Sequence, residues 1–163
     1  MNKMKIIGID PGLQACGYAV LETAGNDFKL LEAGVCRTDS KKSLDHRLVQ
    51  LQQDIYSLLS KYRPDCVAVE ELYSHYAHPR TAILMGHARG VILASARSAG
   101  AEVKSFAATR IKKSLTGNGR AQKSQMQRSI QTLLGLAKLP EPADVADAIA
   151  VALCCANSKN LNL

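Results

Sequence analysis

Asp10, Glu70, Asp144 and Asp147 are the side chains whose types and spacing could do chemistry. Asp10 directly follows a run in which Ile6, Ile7 and Ile9 are β-branched and directly precedes Pro11-Gly12, so it closes a short buried strand. Glu70 likewise closes the apolar run Cys66 to Val69. A carboxylate at a strand end faces a crevice that a ligand can enter. Asp144 and Asp147 stand three apart in a segment, Ala143 to Ala156, that is otherwise apolar all round and therefore buried. The helix dipole favours two acids in the first turns by ~1 kcal/mol or less. That cannot offset two desolvated charges costing several kcal/mol each, so a cation, or an Arg or Lys not evident in this segment, must compensate. Like charges brought together in a crevice take up a proton unless a cation lies between them, and hard divalent ions prefer oxygen ligands of this kind. Taken singly, Asp10 could cap the Pro-Gly turn, Glu70-Glu71 could open a solvated loop, and Asp144 could be an N-cap. It is the joint pattern that points to metal chemistry.

The net charge of +7 supplies a partner for those acids. From Val103 to Pro140 there is no Asp or Glu, but there are eight basic residues: Lys104, Arg110, Lys112, Lys113, Arg120, Lys123, Arg128 and Lys138. Elsewhere 13 basic residues face 14 acids, so the whole excess lies in one block and favours a polyanion, nucleic acid before membrane surface. Within it, Thr116-Gly117-Asn118-Gly119 makes a loop where backbone can approach a phosphate. It is not a Walker loop, because Gln122 rather than glycine precedes Lys123. Metal-held acids beside a basic surface suit phosphodiester hydrolysis, in which metal ions activate water and stabilise the leaving oxygen.

The elements that must position these groups can be read from periodicity. After the first strand, Cys16 to Thr23 and Phe28 to Thr38 read as two further strands around the turn Ala24 to Asp27, an antiparallel meander. Apolar residues at steps of three and four predict an amphipathic helix from about Ser43 to Tyr62, a crossover that sets the strand ending in Glu70 parallel to the strand ending in Asp10. Ala77 to Ala99 reads as an apolar helix with Gly86 and Gly90 on one side, buried against the sheet or a second copy of the chain. A fifth strand at Glu102 to Phe106, helices at about Thr109 to Leu115 and from Ala121, and the terminal helix complete the order. This is an α/β pattern: a ribonuclease H-like mixed five-stranded sheet, three antiparallel strands then two parallel, flanked by helices, in a single nuclease domain over residues 1–163. Five cysteines without C-x-x-C spacing, inside apolar segments, read as buried thiols rather than disulfides or zinc ligands. No apolar run reaches the ~18 residues of a membrane span, and the N-terminus has no apolar signal core. A cytoplasmic protein is expected. His75, His78 and His87 read as loop or surface histidines.

The segments IGIDPG with GYAV, AVEELY, GHARGV, RIKKSLTGNGRAQKSQMQ and PADVADAIAVA together resemble the RuvC family of Holliday-junction resolvases over essentially the whole chain. The resemblance implies a dimeric endodeoxyribonuclease that resolves four-way junctions by paired symmetric nicks during recombination and repair. It makes Asp10, Glu70, Asp144 and Asp147 the catalytic metal ligands, with Mg²⁺ or Mn²⁺ as cofactor, two ions per site. Lys112 and Lys123 match basic residues near the scissile phosphate, Lys123 with a catalytic role, and Lys113 and Arg120 are expected to add DNA contacts. Tyr73 falls where the family carries an aromatic that stacks on junction bases. A homodimer and a branch-migration motor are the implied protein partners.

Three rivals make different demands. A related family of putative resolvases or ribosomal-RNA-processing nucleases also opens on a strand ending in Asp, but does not account for Ile111 to Gln125. IGIDPG also resembles the phosphate-binding turn of actin-like ATPases and sugar kinases, which need two such domains around a nucleotide. A catalytically silent junction-binding module would make the acids structural.

Overall fold

A computed structural model describes residues 3–72 and 78–160. Tyr73, on which base stacking is expected, lies outside the described residues, as does His75. Strands β1 (Met4–Asp10), β2 (Ala15–Ala24) and β3 (Asp27–Arg37) form the meander, and helix α1 (Leu44–Tyr62) crosses over to β4 (Cys66–Glu70). Helix α2 (Pro79–Ser98), strand β5 (Glu102–Phe106) and helices α3 (Ala108–Thr116), α4 (Lys123–Leu134) and α5 (Ala143–Asn160) follow. The sheet order is β3-β2-β1-β4-β5. The pairs β1–β2 and β2–β3 are antiparallel, whereas β1–β4 and β4–β5 are parallel.

In element boundaries, differences from the sequence expectation are confined to ends. The meander turn is tighter than expected, since Ala24 still pairs with Asp27 and Gly25 supplies the positive φ, 62°, that a two-residue connection requires. Helix α2 begins with Pro79, whose fixed φ suits a first helical position. Helix α4 begins at Lys123, behind Gln122, whose N–H donates to Gln125 Oε1 at 2.9 Å. Among the described residues no helix is long and apolar enough to cross a membrane. All five cysteines are buried and none forms a disulfide.

Side-chain alternation along the strands separates two cores. Ile7, Ile9, Val20, Val67 and Val69 pack with Leu51, Ile55 and Leu59 of α1 and Ala88, Ile92 and Ala96 of α2. Ile6, Ala19, Leu21, Cys66, Ala68 and Phe106 face the other way, against α5, with Ile111 of α3 and Ile130 of α4 beyond it. Helix α5 is buried almost throughout because it lies directly on the sheet. A Cβ at Gly8 would fall 2.2 Å from Ala148 O, and one at Gly17 would fall 2.1 Å from Asp144 O. Only glycine admits helix backbone this close to a strand, and the small residues Ala146, Ala148, Ala150 and Ala152 complete the seat. Helix α2 is covered only in part: its Ala88–Ile92–Ala96 stripe is buried, while Ile83 is 62% exposed.

Candidate active site

The pairing of β1 with β4 matches Ile9 to Val69, so the next residues of these parallel strands, Asp10 and Glu70, leave the sheet side by side. Both belong to the even-numbered face that carries Ile6 and Gly8 on β1 and Cys66 and Ala68 on β4, the face that α5 covers. On the other side of Asp10 its partner in β2 is Gly17. It is onto Gly17 that the backbone of Asp144 descends. Asp147 follows one turn later on α5. The glycine contact therefore fixes the height and phase at which the helical acids meet the strand acids.

The electrostatics record that meeting. Burial, then the charges of Asp147, Glu70 and Asp144, push the Asp10 carboxyl from its ordinary 3.8 up to about 8, while Lys123 pulls the other way. Glu70 is raised by burial and by Asp147, with Lys112 opposing. Asp147 is raised chiefly by burial and also by Asp144, against the pull of Lys123 and Lys112. Acids that each lie above their ordinary range form a site short of positive charge. Among the described residues no group of three or more His, Cys, Asp or Glu is drawn together at metal-ligand spacing. The donors are all oxygens and their surplus is negative, which fits a hard divalent cation and not zinc bound by sulfur or imidazole.

Next to the acids lies a cavity of ≈ 230 Å³, walled by Glu70 and Asp147 and by Lys112, Lys123 and Gln127, with Ile130 among its apolar lining. Grooves of ≈ 960 Å³ between α1 and α2 and ≈ 920 Å³ beside β5 are larger. Among the described residues no carboxylate lines either one, and a groove of ≈ 350 Å³ lined by Glu32 and Asp54 holds none of the four acids, so the cavity at Glu70 and Asp147 is the one that serves them. The cavity walls sort the expected cations. Lys112 and Lys123 come to the acids, whereas Lys113 lines the groove beside β5 together with Lys104 and Arg110. Arg120 is exposed in the loop after α3, where its N–H donates to Asn118 Oδ1 at 2.9 Å. That loop is closed by Gly117 at φ 76° and by Thr116 Oγ1, which donates to Asn118 O at 3.1 Å. His78 and His87 are exposed and belong to no ligand set among the described residues.

Two features escape sequence reasoning. One is the Gly8–Gly17 seat for α5, signalled only as glycines within β-patterned runs. The other is Arg89 of α2, whose Nε donates to the Glu70 carbonyl at 3.2 Å and whose Nη2 donates to Ser105 Oγ at 2.7 Å. Its signal is slight: Arg89 is one of three arginines in that helix, the one in its middle.

Comparison with known proteins gives a consistent result. The family described as crossover junction endodeoxyribonuclease RuvC matches residues 6–155. A crossover junction endodeoxyribonuclease RuvC of Rhodopirellula baltica is 50% identical over 149 residues, covering 91% of this chain and 84% of the relative. That of Alkaliphilus oremlandii is 43% identical over 157 residues, covering 96% and 95%. Among solved structures, T. thermophilus RuvC in complex with a Holliday junction substrate superposes with a TM-score of 0.92 at 31% identity, covering 98% of this chain and 96% of that one. A yeast mitochondrial Holliday junction resolvase, at 12% identity and a TM-score of 0.70, shares the fold.

Proposed function

Because the chain belongs to the RuvC family of crossover junction endodeoxyribonucleases, we propose that its four-acid cleft cuts the phosphodiester backbone of four-way DNA junctions, by paired symmetric nicks during recombination and repair. The observation that carries this reading is the convergence of two neighbouring parallel strand ends, at Asp10 and Glu70, with the first turns of a helix seated on Gly17. Family nucleases depend on metal, and here Asp10, Glu70, Asp144 and Asp147 would hold it as Mg²⁺ or Mn²⁺, two ions per site. Bound there, such ions supply an activated water for in-line attack and charge stabilisation at the leaving oxygen. Asp10 and Glu70, on rigid strand ends, and Asp144 and Asp147, on the first turns of α5, would present their carboxylates to those ions from two elements. Lys112 and Lys123 answer the phosphate's charge from the cavity wall, and Lys123 also draws Asp10 and Asp147 back toward the ionised form against burial and the neighbouring acids. Ile111, Met126 and Ile130 beside them limit water and strengthen each of these interactions.

Further contacts extend the reading to the substrate. Tyr73, three residues beyond Glu70 in sequence, would stack on a junction base. Lys113 and Arg120 would meet phosphates of an arm. A two-fold junction calls for two equivalent sites, hence a homodimer, and the partly uncovered face of α2 around Ile83 supports one. A branch-migration motor would supply junctions to the dimer. Buried thiols and a chromosomal substrate support a cytoplasmic place of action.

The test is incubation with a synthetic four-way junction, a linear duplex and a single strand, each with Mg²⁺ and with chelator. Paired symmetric nicks in the junction alone, abolished by chelator, are expected. Equal cutting of linear duplex, or cutting in chelator, would overturn the proposal.

A further inference from the structure

The contact between Arg89 and the end of β4 joins two layers that otherwise serve different cores. Arg89 projects from α2, on the face of the sheet opposite α5 and the acids. Its guanidinium reaches the two parallel strands where their ladder ends: β4 pairs with β5 as far as Glu70 with Phe106, and the last rung is Glu71 N–H to Phe106 O at 3.0 Å. There the fork takes the Glu70 carbonyl on Nε and the Ser105 hydroxyl on Nη2. A carbonyl at a strand end has lost its ladder partner, and one left unsatisfied costs about 1–3 kcal/mol or draws the strand end toward water.

We propose that Arg89 is a positioning residue for Glu70: by clamping the main chain of Glu70 to Ser105 from behind the sheet, it fixes where the Glu70 carboxylate stands in front of it. This rests on the reading of Glu70 as a metal ligand. The planar fork suits the task because its donors are held at a fixed spacing, so two strands are gripped by one rigid group. Lysine's three donors radiate from a single rotatable nitrogen and lack that fixed spacing. The role matters for catalysis because metal sites lose affinity when the groups that orient their ligands are removed, and small misplacements of a reacting group cost rate.

The test uses the full-length protein in the variants Arg89→Gln, Arg89→Lys and Ser105→Ala, with Glu70→Gln as a control. Mn²⁺ binding is measured by calorimetry without DNA, junction affinity in chelator, and nicking as a function of Mg²⁺. Arg89→Gln is expected to weaken Mn²⁺ binding about tenfold. It should raise the Mg²⁺ concentration needed for half-maximal nicking by a similar factor and leave junction affinity in chelator unchanged. Arg89→Lys should recover part of that loss, and Ser105→Ala, an exposed position that cannot unfold the sheet, should give a smaller shift in the same direction. Unchanged Mn²⁺ affinity in Arg89→Gln, or in Ser105→Ala should the Arg89 variants fail to fold, overturns the inference. So does a loss of nicking with unaltered metal dependence. If wild type binds Mn²⁺ and Glu70→Gln does not, yet no junction is nicked, the junction reading fails and the calorimetry still judges Arg89. If Glu70→Gln binds Mn²⁺ as well as wild type, Glu70 is no ligand and the inference falls with that assignment.

Discussion

Replacing Asp10 with asparagine should stabilise the metal-free protein while abolishing its activity. Burial and three neighbouring acids hold the folded-state carboxyl near 8, against 3.8 ordinarily. Well below pH 4 the group is neutral whether the chain is folded or not, so it contributes no difference. As the pH rises from about 4 to 8 the unfolded chain gives up this proton and the folded chain resists, so stability falls, and above 8 the penalty is constant. Four units at ~1.36 kcal/mol each set a ceiling of roughly 5 kcal/mol. Outward movement of the carboxylates and water entry reduce that penalty, and the asparagine amide carries its own desolvation cost. A gain of ~1–3 kcal/mol at pH 8 in chelator is therefore expected, shrinking toward nothing near pH 4. The assay is urea denaturation of wild type and Asp10→Asn at pH 4, 6 and 8, with chelator and with Mg²⁺. Added Mg²⁺ should stabilise wild type more than the variant and narrow the gap, because the ion binds the folded state. An asparagine variant no more stable than wild type at pH 8 in chelator, or a gain independent of pH, would refute the reasoning.

Glu70→Gln and Asp147→Asn should each remove Mg²⁺-dependent nicking and leave junction binding in chelator intact, measured by gel shift; substantial residual nicking would take that residue out of the ligand set. Lys123→Ala should weaken junction binding and flatten the plot of log affinity against log salt by about one phosphate's share, ~0.9. An unchanged slope would place Lys123 away from the backbone. Gly17→Ala should force the start of α5 off the sheet, since its Cβ would overlap Asp144 O. Lower thermal stability together with weaker Mn²⁺ binding is expected, and loss of neither would mean that the seat is more yielding than its contacts imply.

How far this site can be read in the sequence depends on which contacts carry it. Asp10 and Glu70 are legible because β-branched runs that stop at Pro-Gly or at a double acid mark strand ends, and a helix between two strands implies that they are parallel. Asp144 and Asp147 are legible because two charges in an apolar helix demand compensation. The height at which α5 meets the sheet is not legible, because Gly8 and Gly17 act by lacking a side chain against one particular helix backbone. Lys112 and Lys113 are adjacent and chemically alike, and only the packing of α3 through Ile111 decides that the first faces the acids and the second faces the groove beside β5. Arg89 is hidden for a related reason: its partners are a main-chain carbonyl and a serine, and neither leaves a charge pattern to match.

The central claim is that the carboxyl groups of residues 10, 70, 144 and 147 grip divalent ions together. A crystal of the protein soaked in Mn²⁺ and measured for anomalous scattering tests it most directly. One or two peaks about 2 Å from oxygens of these four side chains are predicted, a distance typical of small hard cations. A fully soaked crystal with no peak there, or with manganese bound only elsewhere, would contradict the account.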